Sequence, residues 1–111
     1  MLYMVKERTT NQVIAKGIEN QQVHPLEGNL YFAPEAVNME HLRITERTYT
    51  CPYKGVCYWI DLESPNGRFQ NIAWVYQNPK SGYERIQDRI GFYTHDTSGS
   101  VTEKETLATS A

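Results

Sequence analysis

Along most of the chain, apolar residues recur at every second position and almost nowhere at helical spacing. "LYMVKE" (2–7) and "QVIAKGIE" (12–19) are short β-type runs joined across the polar "RTTN", which reads as a hairpin. "NLYF" (29–32), entered through Glu27-Gly28, is a further strand. "APEAVNMEHL" (33–42) changes character: Pro34 at a first helical position with Glu35 beside it predicts one or two helical turns, interrupted near Asn38.

The most regular segment runs from Val56 to Tyr76. Val56, Tyr58, Ile60 and Leu62 alternate with Cys57, Trp59, Asp61 and Glu63, the mark of a half-buried strand. "SPNG" supplies its turn. A two-residue Asn66-Gly67 loop would need an N–H that Pro65 lacks, so the chemistry favours a type I turn with Gly67 in the bulge position. That turn sets Ser64 opposite Arg68, Ile60 opposite Ile72, Tyr58 opposite Trp74 and Val56 opposite Tyr76. The other face then receives Cys57, Trp59, Asp61, Asn71, Ala73 and Val75. "NPKSGYERIQD" reads as a loop with a turn of helix, and "RIGFYT" as a last strand. After His95 the alternation stops. The expectation is one β-rich domain over 1–95 and a flexible tail over 96–111. The fold class is mainly β, a single curled antiparallel sheet or open barrel with one or two short helical segments.

Length and charge narrow the functional classes. A chain of 111 residues forms one domain that buries roughly two thirds of its unfolded surface. Eleven basic and thirteen acidic side chains leave a net charge of −2, without the basic face that a nucleic-acid partner requires. No apolar run approaches the roughly 20 residues that span a bilayer, and the N-terminal residues do not read as a signal peptide. The expectation is a cytoplasmic protein with no nucleic-acid or membrane partner. Cys51 and Cys57 then read as reduced thiols. Their spacing, with His24, His41 and His95 scattered, falls short of a metal-ligand set. No phosphate loop, dinucleotide fingerprint, nucleophile elbow or paired-histidine metal motif is present, and no cofactor is implied.

Chemistry concentrates in "TYTCPYKGVCYW" (48–59). Pro52 and Gly55 shape a tight turn that carries Lys54, with Tyr53 as an apolar wall. Such a lysine binds an anionic group, becomes a nucleophile if desolvation lowers its pKa, or is simply a solvated surface charge. Tyr53, Tyr58, Trp59, Trp74 and Tyr76 form either core or the wall of a recess. Hydroxyls at Thr48, Tyr49 and Thr50 lie close in sequence, and polar groups converging on an apolar recess are what small-ligand sites are made of. The candidate ligand-binding set is Thr48, Cys51, Tyr53, Lys54, Trp59, Trp74 and Tyr76. Glu35, Glu40 and Glu46 read as solvated charges.

"EGNLYFAPEAVNMEHL", "TCPYKGVCYW", "IAWVYQNP" and "IGFY" together resemble the small domain of unknown function numbered 427, also catalogued as nucleotidyltransferase-like, over roughly Val13 to Tyr93. Cys51, Pro52, Tyr53, Lys54, Gly55, Trp74 and Tyr76 fall on its recurrent motif positions. The resemblance implies a curled antiparallel sheet similar to the tent-like folds that include B-type methionine sulfoxide reductases. The zinc-holding cysteine pairs of those relatives are missing here, as are the Gly-Ser helix start and paired aspartates of nucleotidyltransferases, so neither chemistry transfers. Three functions stay open: binding a small ligand beside the CPYKG turn, an enzyme using Cys51 or Lys54 as nucleophile, or a partner-binding domain that forms a homodimer through a sheet edge.

Overall fold

The computed structural model describes residues 1–65 and 67–106. The chain is mainly β, and every pair of neighbouring strands among the described residues is antiparallel. Its strands are β1 (Leu2–Glu7), β2 (Val13–Ile18), β3 (Val23–Leu26), β4 (Asn29–Phe32), β5 (Leu42–Cys51), β6 (Gly55–Ser64), β7 (Gly67–Val75), β8 (Ile90–Tyr93) and β9 (Ser100–Glu105). They divide into a three-stranded sheet, β2-β1-β9, and a six-stranded sheet, β3-β4-β8-β7-β6-β5, and among the described residues no barrel closes. The expected helical turns are single 3-10 turns at Pro34–Ala36 and Glu84–Ile86.

Period-two alternation explains the core. Leu30 and Phe32 of β4, Ile60 and Leu62 of β6, Ala73 and Val75 of β7, and Ile90 and Phe92 of β8 pack with Val5, Ile14 and Ala15 from the smaller sheet. The Phe32 and Phe92 rings meet edge-on at 5.8 Å. The edge strands of the larger sheet are poor templates for strand addition. β3 carries Pro25, and β5 bulges, since its pairing with β6 shifts between Ile44 and Thr48.

The β6–β7 register differs from the expected one. Ser64 pairs with Gly67, Glu63 with Arg68 and Leu62 with Phe69. Pro65 therefore opens a two-residue loop, a position where its missing N–H is not needed. Asn66, expected third in the turn, lies outside the described residues. Past Asp61 the partners jump to Ile60–Ala73, Trp59–Trp74 and Tyr58–Val75. The extra length sits at Gln70–Ile72, with Asn71 at φ 58°, a conformation that asparagine tolerates better than most residues. Ile60 thus faces Ala73 rather than Ile72, and Trp74 and Tyr76 exchange faces with Ala73 and Val75. A one-residue slip inverts a strand's faces. Ile72 stays in the core, 2% exposed.

The expected tail is also corrected over its described part. Residues 100–105 form β9, paired with β1 from Leu2–Glu105 to Glu7–Ser100. Aliphatic alternation is weak there because β9 is an edge strand whose second half is exposed; Ser100 is buried, and Val101 and Thr102 are half-buried. Residues 107–111 lie outside the description.

Candidate functional site

The face of the six-stranded sheet turned away from the core carries a row of register neighbours. Trp59 of β6 pairs with Trp74 of β7, Trp74 with Gly91 of β8, Gly91 with Tyr31 of β4, and Tyr31 with His24 of β3. Gly91 makes the row work. A Cβ there would lie 2.5 Å from Trp74 Nε1 and 2.6 Å from its Cε2. With hydrogen in that place, the indole lies across β8 and its N–H donates to Tyr31 Oη at 3.2 Å. Trp74 meets Trp59 edge-on at 6.0 Å, Tyr31 at 6.1 Å and Tyr93 at 4.8 Å. Edge-to-face pairs at these separations are favourable beyond the area they bury.

Around this row opens a recess of about 200 Å³. Trp59, Trp74, Tyr31, Tyr49, Tyr76 and Tyr93 form its aromatic wall, and Cys51, Cys57, Lys54 and Asn29 complete it. The volume suits a ligand the size of one ring, below the roughly 300–1,000 Å³ of drug-sized pockets.

The β5–β6 turn brings in the polar groups. Cys51 pairs with Gly55 across it, and Gly55 has φ 106°, a left-handed value that favours glycine. Lys80 braces the turn from outside: its N–H donates to Lys54 O at 2.9 Å, and its ammonium donates to Pro52 O at 3.0 Å. Inside the turn the Lys54 N–H points at Cys51 Sγ, 3.4 Å away. Burial pushes the Cys51 thiol up, but the N–H groups of Lys54 and Tyr53 and the Lys54 charge outweigh it, and its pKa lies below the ordinary value. Cys57, 1% exposed, is the opposite case. Burial dominates there and raises its pKa despite hydrogen bonding from Tyr76.

Lys54 is a held cation. Its ammonium lies 3.3 Å from Glu27 Oε1 and 5.8 Å from the centroid of the Tyr83 ring. Burial opposes the charge, yet the hydrogen bond to Glu27 and the Cys51 and Glu27 charges prevail, and its pKa is raised. Such a lysine stays protonated at neutral pH and does not supply a free amine. Burial likewise raises the phenols of Tyr31, Tyr76 and Tyr93, so all three remain neutral hydroxyls. Because Tyr31 Oη already accepts the indole N–H, its own O–H is directed to donation elsewhere.

Of the residues singled out in the sequence, Cys51, Lys54, Trp59, Trp74 and Tyr76 line this one recess. Thr48 does not: it pairs with Tyr58 and shares the other face of the sheet. Tyr53 stands out on the turn, 72% exposed. Tyr49 and Cys57, noted in the sequence, were left out of the candidate set, and Asn29, Tyr31 and Tyr93 were missed altogether. Their signal was the same alternation, with Asn29 and Tyr31 offset from Leu30 and Phe32, and Tyr93 offset from Phe92.

Among the described residues, no three His, Cys, Asp or Glu side chains come together as a metal site, and no helix is long and apolar enough to cross a membrane. Comparison with curated proteins gives no match. Among solved structures, the crystal structure of the Mis18 'Yippee-like' domain is similar, with a TM-score of 0.65 at 10% identity over 96% of this chain and 100% of that one. At that identity the likeness concerns the fold. The sequence resemblance, by contrast, extends to a family model described as "Domain of unknown function (DUF427)", which matches residues 4–103, from β1 into β9; the chain belongs to that family.

Proposed function

We propose that this domain binds a small planar ligand in the aromatic recess, with an anionic or carbonyl end directed to the Lys54 ammonium and the Tyr31 hydroxyl. The observation that carries the reading is the convergence of a fixed cation, a free hydroxyl donor and an aromatic wall on one open hollow. A planar ring gains most against such walls, and a charge-assisted hydrogen bond orients it. The pairing of Lys54 with half-exposed Glu27 supports the choice of an anion, since a ligand carboxylate can take the place of a solvated partner at small cost.

Trp59 and Trp74 are the chain's two tryptophans, and both line the recess, so intrinsic fluorescence reports on it directly. Titration with a panel of small aromatic and heteroaromatic carboxylates should give saturable changes in emission together with a raised melting temperature. A panel that leaves both unmoved at millimolar concentration overturns the proposal.

The second reading, a thiol enzyme, draws support from the Cys51 contact alone. It requires saturable turnover or a trapped adduct that Cys51→Ser abolishes. A lysine nucleophile is disfavoured by the raised Lys54 pKa.

A further inference from the structure

The aromatic row ends at β3 in a second pocket of different chemistry. His24, the register partner of Tyr31, is joined there by Arg85 from the Glu84–Ile86 turn and by Arg89 just before β8. With Asn20, Gln21 and Val23 these residues line an open hollow of about 410 Å³ that shares no lining residue with the aromatic recess.

The charged side chains that line this pocket are basic. Among the described residues, Lys6, Arg43, Arg47, Lys54 and Arg68 each pair with a carboxylate. Arg85 and Arg89, like Arg8, Lys16, Lys80 and Lys104, have no such partner among the described residues, but these two share a pocket that no acidic side chain lines. Arg89 is nonetheless held in place, because its Nη1 donates to Gln22 O at 3.2 Å and to Tyr31 O at 3.3 Å. Two guanidinium groups gathered without a counter-charge, one of them fixed by backbone carbonyls, leave forked donors unspent in a chain that is acidic overall.

We propose that this pocket is a binding site for a phosphate or phosphomonoester dianion, gripped by Arg85 and Arg89 with His24 as a third donor. Guanidinium forks match tetrahedral oxyanions bidentately, and the side-chain amides of Asn20 and Gln21, which also line the pocket, offer further donors. Burial first, then the Arg85 and Arg89 charges, hold His24 below its ordinary pKa, so its imidazole is neutral at pH 7. A bound dianion offsets the two guanidinium charges and draws a proton onto His24. Binding therefore tightens as pH falls.

The test is a nuclear magnetic resonance titration of the full chain with inorganic phosphate at low ionic strength. Saturable shifts are expected at His24, Arg85 and Arg89. Arg85 is exposed and its side chain makes no hydrogen bond or ion pair among the described residues, so Arg85→Ala should fold normally and lose about tenfold in affinity, with Arg85→Lys intermediate. Sulfate, a dianion across the whole range, serves for the pH arm and should bind more tightly at pH values below neutrality than above. Sedimentation with phosphatidate vesicles, against phosphatidylcholine vesicles, separates the sources: Arg85-dependent pelleting assigns a lipid headgroup, and binding of phosphate without pelleting assigns a free phosphate group. Linear, unsaturated shifts at millimolar phosphate, or an Arg85→Ala chain that binds like the parent, overturns the site.

Discussion

Arg47 and Asn71 meet across β6: Arg47 Nη2 donates to Asn71 Oδ1 at 2.8 Å. Each residue sits in a bulge, one on β5 and one on β7. Between them lies Asp61, fully buried, whose Oδ1 accepts from Arg47 Nη2 and from the Asn71 N–H at 3.0 Å. One buried carboxylate therefore ties together the two irregularities that aim Trp59 and Trp74 into the recess.

Asp61→Asn keeps the shape and removes the charge that Arg47 and Arg68 face. The expected loss is about 2–4 kcal/mol in urea denaturation, the range for breaking one side of a buried charged pair. The pH dependence has a definite sign. Burial raises the Asp61 pKa, but the Asn71 N–H and the two arginines outweigh it, and the folded value lies below the ordinary 3.8. Its stabilisation is complete above the unfolded pKa and fades as pH falls through the folded one. Parent and Asp61→Asn stabilities should thus converge in acid below about pH 4. A constant difference down to strong acid would show that the charge is not the source.

How much of this was legible in the sequence follows from the same bulges. Alternation gave β1, β2, β4, β6, β7 and β8, because burial of one sheet face writes a period of two into the chain, and Pro34 and the loop composition gave the short helical turns; β3, β5 and β9 were not read as strands. The CPYKG turn and the aromatic residues around it led to Cys51, Lys54, Trp59, Trp74 and Tyr76. Register was not legible. Asn71 can adopt a positive φ, but nothing local says that it does so here, and its bulge is fixed by Asp61 and Arg47 from other strands. Tyr31 and Tyr93 reach the recess only through the neighbour order β4-β8-β7, which is a long-range property.

Gly91→Ala tests the aromatic row. The added methyl meets the Trp74 indole within 2.6 Å, and β8 cannot retreat because β4 and β7 pair with it on both sides. The indole must move and give up its bond to Tyr31. An overpacking cost of about 1–3 kcal/mol is expected, with a shifted tryptophan emission. Unchanged emission would mean that the ring is not held where the row requires.

The two thiols should differ in reactivity. At neutral pH, iodoacetamide should modify Cys51 at least about tenfold faster than Cys57, because the thiolate is the nucleophile and only Cys51 has its pKa lowered. Peptide mass spectrometry after brief labelling reads the ratio. The Cys51 rate should already be levelling off below the pH at which a free thiol does so. Equal rates, or faster labelling of Cys57, would contradict the described environments.

Strand β9 should be integral to stability. It completes the smaller sheet along the whole of β1, Thr102 Oγ1 donates to Tyr93 O at 2.8 Å next to the recess, and Gly99 lies so close to Phe69 that a Cβ would sit 2.7 Å from its Cγ. A chain ended after His95 would expose β1 and the underside of Phe69. It is expected to lose more than about 3 kcal/mol or to fail to fold, since small domains have only about 5–15 kcal/mol in total. Gly99→Ala, which alters only the contact with Phe69, should cost about 1–3 kcal/mol in a chain that still folds. Thermal melting of the two variants decides the matter: a truncated chain that melts like the parent would make residues 96–106 a dispensable appendage, and Gly99→Ala at parental stability would remove the packing half of the case.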